Sequence, residues 1–345
     1  MKRRMMMKTV AAAALALGLA PATLSAQEVT LRLHQFLPPP APVPAHILKP
    51  WAAKVEERAG GALKIEHFDA MSLGGKPNDL IDQAIDGTAD IIMTVVGYTP
   101  GRFPKTEVFE LPFMMTNPVA TAKAFWQLTE AELQNEEYKD VKILGAWVHG
   151  PGMIHSKEPI ASLEDMAGKK LRGPTRVITD MLSELGATPV GMPLPAIPES
   201  LSKGVIDATV IPWEVTTAVR VSELVGNHTE FAGNESLYTA TIILAMNKDR
   251  YESLPENIRA AIDAESGEVL SAFAAQVMWD YDAPARQIAV DRGNNIITLD
   301  EAEVARWKEK AQPVIDRWVA DMEAKGIDGR ALIQQAKDLI VKNGG

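Results

Sequence analysis

The sequence predicts an α/β protein built as two lobes. Three observations carry this reading. The chain has 345 residues, room for two domains of ordinary size. Strand-like and helix-like segments alternate along it, the pattern of mostly parallel sheets covered on both faces. The alternation runs to about residue 149 and restarts after Gly150. Hydrophobic residues make up 46% and charged residues 23%. That balance supports a large core and excludes a disordered or collagen-like chain.

Residues 1–26 have the layout of a secretory signal peptide, with a basic start at Lys2, Arg3, Arg4 and Lys8 and an apolar run from Val10 to Ala20. Cleavage is expected near Ala26. The run is shorter than the ~20 residues of a spanning helix. No other stretch is long and apolar enough to span a bilayer, so the mature protein is expected in the periplasm and not embedded in a membrane. Removing residues 1–26 takes away four bases and no acids, moving the net charge from −10 to about −14. An acidic chain lacks the excess of Lys and Arg that phosphate binding needs, so no nucleic-acid partner is expected. There is no cysteine, which excludes disulfides, thiolate metal sites and a cysteine nucleophile.

Val29, Leu31 and Leu33 alternate with polar neighbours as in a strand. Pro38 to Pro44 is too rigid and donor-poor for either regular element. A helix is expected from about His46, closed by Gly60 and Gly61. Leu63, Ile65 and His67 mark a second strand, and Leu80 to Ile85 a second helix. Asp90 to Val96 and Val141 to Val148 read as strands buried on both faces. Asn117-Pro118 starts a helix between them. After Gly150, strands are expected at Leu171, over Val205 to Ile211 and over Tyr238 to Met246. Helices are expected over Val177 to Leu185 and Glu214 to Leu224. An unusually long helical pattern runs from Pro255 to about Gly293. Helices over Glu301 to Lys325 and Gly329 to Lys342 close the chain.

Catalytic signatures are absent. The sequence holds no nucleophile elbow, phosphate loop, zinc-protease helix or dinucleotide fingerprint. The six histidines include no pair at i, i+4 spacing. No enzyme activity, cofactor or metal is expected.

An exported, acidic, two-lobed α/β chain without catalytic motifs suggests a solute-binding protein. Five segments sharpen this. They are Gly61-Ala62-Leu63-Lys64-Ile65 leading to Leu73-Gly74-Gly75; Phe109-Glu110-Leu111-Pro112-Phe113; Leu163 through Pro174; Leu185-Gly186-Ala187-Thr188-Pro189-Val190; and Leu201-Ser202-Lys203-Gly204-Val205-Ile206-Asp207. In this order they resemble the solute-binding subunits of tripartite ATP-independent periplasmic (TRAP) transporters, the DctP-like family. The resemblance covers nearly the whole mature chain. It implies a two-domain periplasmic binding-protein fold of the Venus-flytrap type, with a long helix across both domains. Domain I would hold residues 27–149 and about 238–277. Domain II would hold 150–237 and about 278–345, with the ligand in the cleft at the strand ends.

The resemblance also assigns Arg172, at the end of its Gly-x-Lys-x-Arg-x-Pro segment, to the ligand carboxylate. The chemistry agrees, because a guanidinium stays charged and offers a planar fork. From the residues alone, the favoured reading of Arg172 is a surface arginine continuing the basic run Lys169-Lys170, and the resemblance reverses it. Arg176 is a second contact or the start of the next helix. Tyr98 follows a buried strand beside Gly97 and offers a hydroxyl, a ring face or simple packing. His34 and His149 each end a strand, placed to donate to a ligand or to bond locally. Trp213 is expected as an apolar wall, with core packing as the other reading. Glu214 could orient Arg172, bind a hydroxyl, help bind a cation or face water. Ile211 stands where some family members carry a ligand-binding asparagine, which disfavours a heavily hydroxylated ligand.

The function so implied is capture of a small organic carboxylate, compact or aromatic, and delivery to the small and large membrane permease subunits for uptake driven by an ion gradient. Two other readings are a binding protein of another transporter or sensory system, and an exported carboxylate-processing enzyme using Glu214 and a histidine.

Overall fold

The computed structural model describes residues 29–345. The expected signal peptide and its cleavage site lie outside them. Eleven strands form two sheets. They are β1 (Val29–His34), β2 (Leu63–Phe68), β3 (Ile91–Val95), β4 (Val141–Val148), β5 (Gly152–Ser156), β6 (Lys170–Gly173), β7 (Thr188–Gly191), β8 (Ala208–Pro212), β9 (Asn227–Phe231), β10 (Thr241–Asn247) and β11 (Asn295–Leu299). The first sheet has the order β2-β1-β3-β10-β4 and the second β11-β9-β5-β8-β6-β7.

Both sheets are mixed. In the first, β1 runs parallel to β2 and β3, while β10 is antiparallel to β3 and β4. In the second, β5 is antiparallel to β8 and β9, while the β6–β7, β6–β8 and β9–β11 pairs are parallel. The antiparallel strands β5 and β10 follow two of the three places where the chain passes between the sheets, β4 to β5 and β9 to β10; the third, β10 to β11, leads to a parallel strand. A return strand need not complete a βαβ crossover, so it can enter in either direction.

The apolar runs of β3 and β4 are buried along nearly their whole length, as a strand covered on both faces requires. Asn117 caps the helix Pro118–Ala131 by accepting the amide of Ala120 at 2.9 Å, with Pro118 at its first position. The helix Glu268–Asp291 packs on Pro118–Ala131 and β4 in the first lobe and on the short helix Trp213–Thr216 in the second. It therefore spans both lobes. The last helix, Gly329–Lys342, packs chiefly on Pro118–Ala131. That places it on the first lobe, not with the second as expected.

Other expectations are corrected locally. Helical backbone starts at Val43, inside the proline-rich stretch, because prolines are tolerated in a first turn. The strand expected from Val205 begins at Ala208, after the turn at Gly204. The expected Glu214–Leu224 helix is two short pieces, Trp213–Thr216 and Val221–Leu224, separated where Arg220 takes a left-handed φ of 52°. The long helical pattern splits at Gly267, whose φ of 80° ends Glu256–Ala264 before Glu268–Asp291 begins.

Candidate ligand-binding site

The two lobes meet over a cavity with about 490 Å³ of space not filled by protein atoms, counting the part open to solvent. The first lobe lines it with Phe36, Tyr98, His149 and Tyr238, and the second with Arg172 and Glu214. The rest of the wall is aliphatic or proline, with Met278 entering from the spanning helix.

Arg172 lies on β6, between β7 and β8, and is 1% exposed. Its Nε donates to the Met192 carbonyl at 2.8 Å and its Nη1 to the Val210 carbonyl at 3.1 Å. These bonds lock the guanidinium plane against its own sheet. Nη2 is buried without a partner. No carboxylate among the described residues forms an ion pair with this side chain. Burial pulls its pKa below the usual arginine value, but a guanidinium remains charged at neutral pH. The site thus presents a fixed, desolvated, uncompensated positive charge to an apolar space. Burying such a charge is costly unless an anion joins it.

Tyr98 stands opposite, on the turn after β3. Its hydroxyl accepts the Leu194 amide from the other lobe at 3.0 Å, and its ring meets Phe36 at 5.5 Å between centroids. Tyr238 packs edge-on to His149 and lies directly against Gly152, where a Cβ would sit 2.0 Å from the tyrosine ring. Burial raises the pKa of both tyrosines, so both stay protonated.

His149 lines the cavity but has no nitrogen to spare. Its Nε2 accepts the Ala240 amide at 3.0 Å, so Nδ1 carries the proton and donates to the Gly150 carbonyl at 2.6 Å. Burial lowers its pKa to about 4, keeping the ring neutral. It ties the two chain crossings together and offers the cavity its carbon edge.

Glu214 follows β8 in the helix Trp213–Thr216. It is 2% exposed, and its Oε2 has no partner. Its backbone amide donates to Asp282 Oδ1 on the spanning helix at 2.8 Å. Burial and the neighbouring carboxyl raise the Glu214 pKa well above its ordinary value. Burial pushes Asp282 up to about 7.

Two expected contacts lie elsewhere. His34 is buried behind the wall, with Nδ1 bonded to Gln83 Oε1 at 2.7 Å and Nε2 facing the Leu73 amide at 3.4 Å. Trp213 turns away from the cavity. Its Nε1 donates to Glu230 at 2.8 Å, and its ring rests on His155 and His228. Ala285 and Ala289 leave the slot that the indole fills. The aromatic wall comes from Tyr98, Tyr238 and Phe36. Arg176 starts a helix and bridges to Glu107 of the first lobe and to Asp321.

Three buried polar groups in or near the site escape local sequence reading. Tyr238 and Asp282 reach the site only through the tertiary fold. Glu110 is 1% exposed and lines a separate small pocket of the first lobe. Its Oε1 accepts the Thr241 amide and hydroxyl, its Oε2 is unpartnered, and burial raises its pKa to about 7. The one signal for it is an acid inside the apolar Phe109-Glu110-Leu111-Pro112-Phe113 run.

A cavity between two α/β lobes, walled by aromatics and holding one unpaired buried cation, defines a receptor for a small anion. The comparisons specify which kind. Residues 5–321 match the model of DctP, the bacterial extracellular solute-binding protein family 7, and the chain belongs to that family. A TRAP solute-binding protein from Rhodoferax ferrireducens, crystallised with copurified benzoate, is 47% identical, with a TM-score of 0.89 over 91% of this chain and 98% of that one. A marine metagenome TRAP solute-binding protein specific for aromatic acid ligands, crystallised with 3-hydroxybenzoate, is 44% identical, with a TM-score of 0.90 over 92% of this chain and 100% of that one. A Comamonas testosteroni protein described as the outer membrane transporter protein TsaT is 28% identical over 90% of this chain and 91% of its own length. The chain is a solute-binding protein of the TRAP type, in a family of extracytoplasmic receptors. No helix among the described residues is long and apolar enough to cross a membrane.

Proposed function

We propose that the protein is a periplasmic receptor for a small aromatic monocarboxylate, held between two domains that close on it. The observation that carries this is Arg172, buried and without a counter-ion, with Nη2 free in a cavity walled by Tyr98, Tyr238 and Phe36. A carboxylate on Nη2 completes the guanidinium, and a ring fills the apolar remainder. The aromatic acids bound by the two similar TRAP proteins support the same ligand class. The domains are residues 27–149 with about 238–277, and 150–237 with about 278–328, the last helix returning to the first.

Capture involves no chemistry. Closure expels water, which strengthens the ion pair. The closed form then docks on the two-subunit membrane permease, where an ion gradient drives uptake. Both nitrogens of His149 are engaged, which leaves Glu214 without a histidine partner for catalysis. Calorimetry against benzoate, phenylacetate, acetate and succinate tests the reading. Tight binding of the aromatic acids, recovered unchanged, is expected. Preference for acetate or succinate, or turnover of the ligand, overturns it.

A further inference from the structure

Two complementary polar groups line the cavity without pairing with each other. Arg172 offers the unpartnered Nη2, and Glu214 the unpartnered Oε2. They come from adjacent strands, since Arg172 is in register with Thr209 of β8 and Glu214 lies just past the end of that strand. A ligand that satisfies both must carry two polar ends on one apolar body.

The state of Glu214 determines what the second end is. Asp282 accepts the Glu214 amide through Oδ1, while a Cβ at Gly150 would lie 2.2 Å from its Oδ2. The Asp282 carboxylate is therefore pressed between the helix start, where it accepts the Glu214 amide, and the chain crossing at Gly150. The buried Glu214 carboxyl, with Asp282 as its charged neighbour, is disfavoured as an anion. Tyr238, the other titratable group facing Glu214, stays protonated, and Arg172 contributes its charge to the carboxylate end of the ligand.

We propose that Glu214, protonated and backed by Asp282, is the specificity subsite of the cavity and exchanges hydrogen bonds with a hydroxyl on the ligand ring. A carboxylic acid donates through O–H and accepts through C=O, and a phenolic hydroxyl does both in return. The ligand class narrows to hydroxylated aromatic monocarboxylates. Unsubstituted acids leave Glu214 buried and unpaired. A second carboxylate or an ammonium group has no complement there. This rests on the aromatic-acid reading above.

The test is calorimetry on the full mature chain with benzoate, its three hydroxy isomers and the aminomethyl benzoates. In the wild type, at least one hydroxybenzoate is expected to bind roughly ten- to a hundredfold tighter than benzoate, the effect of satisfying one buried polar group. Glu214→Gln keeps a neutral donor and acceptor and should keep the preference. Glu214→Leu should weaken the hydroxybenzoate and tighten benzoate, inverting the order. Benzoate binding without any hydroxyl preference overturns the subsite alone. Loss of the preference in Glu214→Gln, or a wild-type preference for the aminomethyl acids, shows an ionised Glu214 and also overturns it. If no aromatic acid binds the wild type, the subsite and the aromatic-acid reading fall together.

Discussion

In the role proposed for it, Arg172 is a side chain prepared for a ligand before the ligand arrives. Two of its donors are committed to carbonyls of its own sheet, so little rotamer freedom remains to be lost on binding. Arg172→Ala should cost about 2–5 kcal/mol of affinity, the usual effect of removing one partner of a buried charge pair. Arg172→Lys should recover only part of it, because an ammonium cannot hold both carbonyls and the ligand in one plane. Calorimetry on both variants checks this. Trp213 is the opposite case. It packs beneath the site, so Trp213→Ala should lower stability by about 3–5 kcal/mol and leave the ranking of ligands intact. Denaturant unfolding with a parallel ligand ranking reads both. Trp213 also marks what one residue of sequence cannot decide. It lies between Pro212 and Glu214, both in the cavity wall, and its own direction is set by Ala285 and Ala289, about seventy positions away.

The elements that were legible are those whose burial is written in their own residues. The runs of β3 and β4, the alternation of β1 and the Asn117-Pro118 cap all specify themselves. The strands β5, β7, β9 and β11 carry no such signal, because their inward residues are polar or they lie at an edge. In β9, His228 is buried because it bonds to His155 of β5 at 2.6 Å and to Asn294 at 2.9 Å. Such burial depends on partners that sequence order does not reveal. One turn residue has a direct functional reading. Gly97 lies against Thr175 of the opposite lobe, where an added Cβ would fall 2.4 Å from the threonine methyl. Its φ is not in the left-handed region, so alanine is tolerated by the backbone alone. Gly97→Ala should therefore hold the lobes apart and weaken ligand binding by about tenfold or more, a cost of the size seen for overpacked contacts. Small-angle scattering should show a larger radius with ligand than the wild type has. An unchanged affinity would mean that closure does not bring Gly97 and Thr175 together.

At the scale of the molecule, buried titratable groups act in opposite senses. His149 and His228 have pKa values lowered to about 4 and His155 to about 3, so unfolding takes up protons below pH 6.5 and stability falls from there toward pH 4. Glu110 and Asp282 are raised to about 7, so their contribution is complete below about pH 4 and is lost as pH rises through 7. The two sets offset each other between pH 4 and 7, and the melting temperature should vary little across that range. Glu110→Gln fixes the neutral form at that position and removes the Glu110 share of the acid side, leaving that of Asp282. The variant should gain on the wild type between pH 4 and pH 8, by up to ~3 kcal/mol, which thermal melts at the two pH values measure.

The position of β10 in the first sheet governs how the chain can fold at all. This strand sits between β3 and β4, yet it is made almost a hundred residues after β4. A polypeptide emerging in order keeps β4 without a hydrogen-bonded neighbour until Asn247 is available, and by then the whole second sheet except β11 has already been synthesised. Completion of the first sheet must await that long-range pairing, so the first domain cannot mature before the second sheet is largely made. A fragment ending at Ala240 should leave the first domain unfolded, as loss of its native circular dichroism and of thermal cooperativity would show.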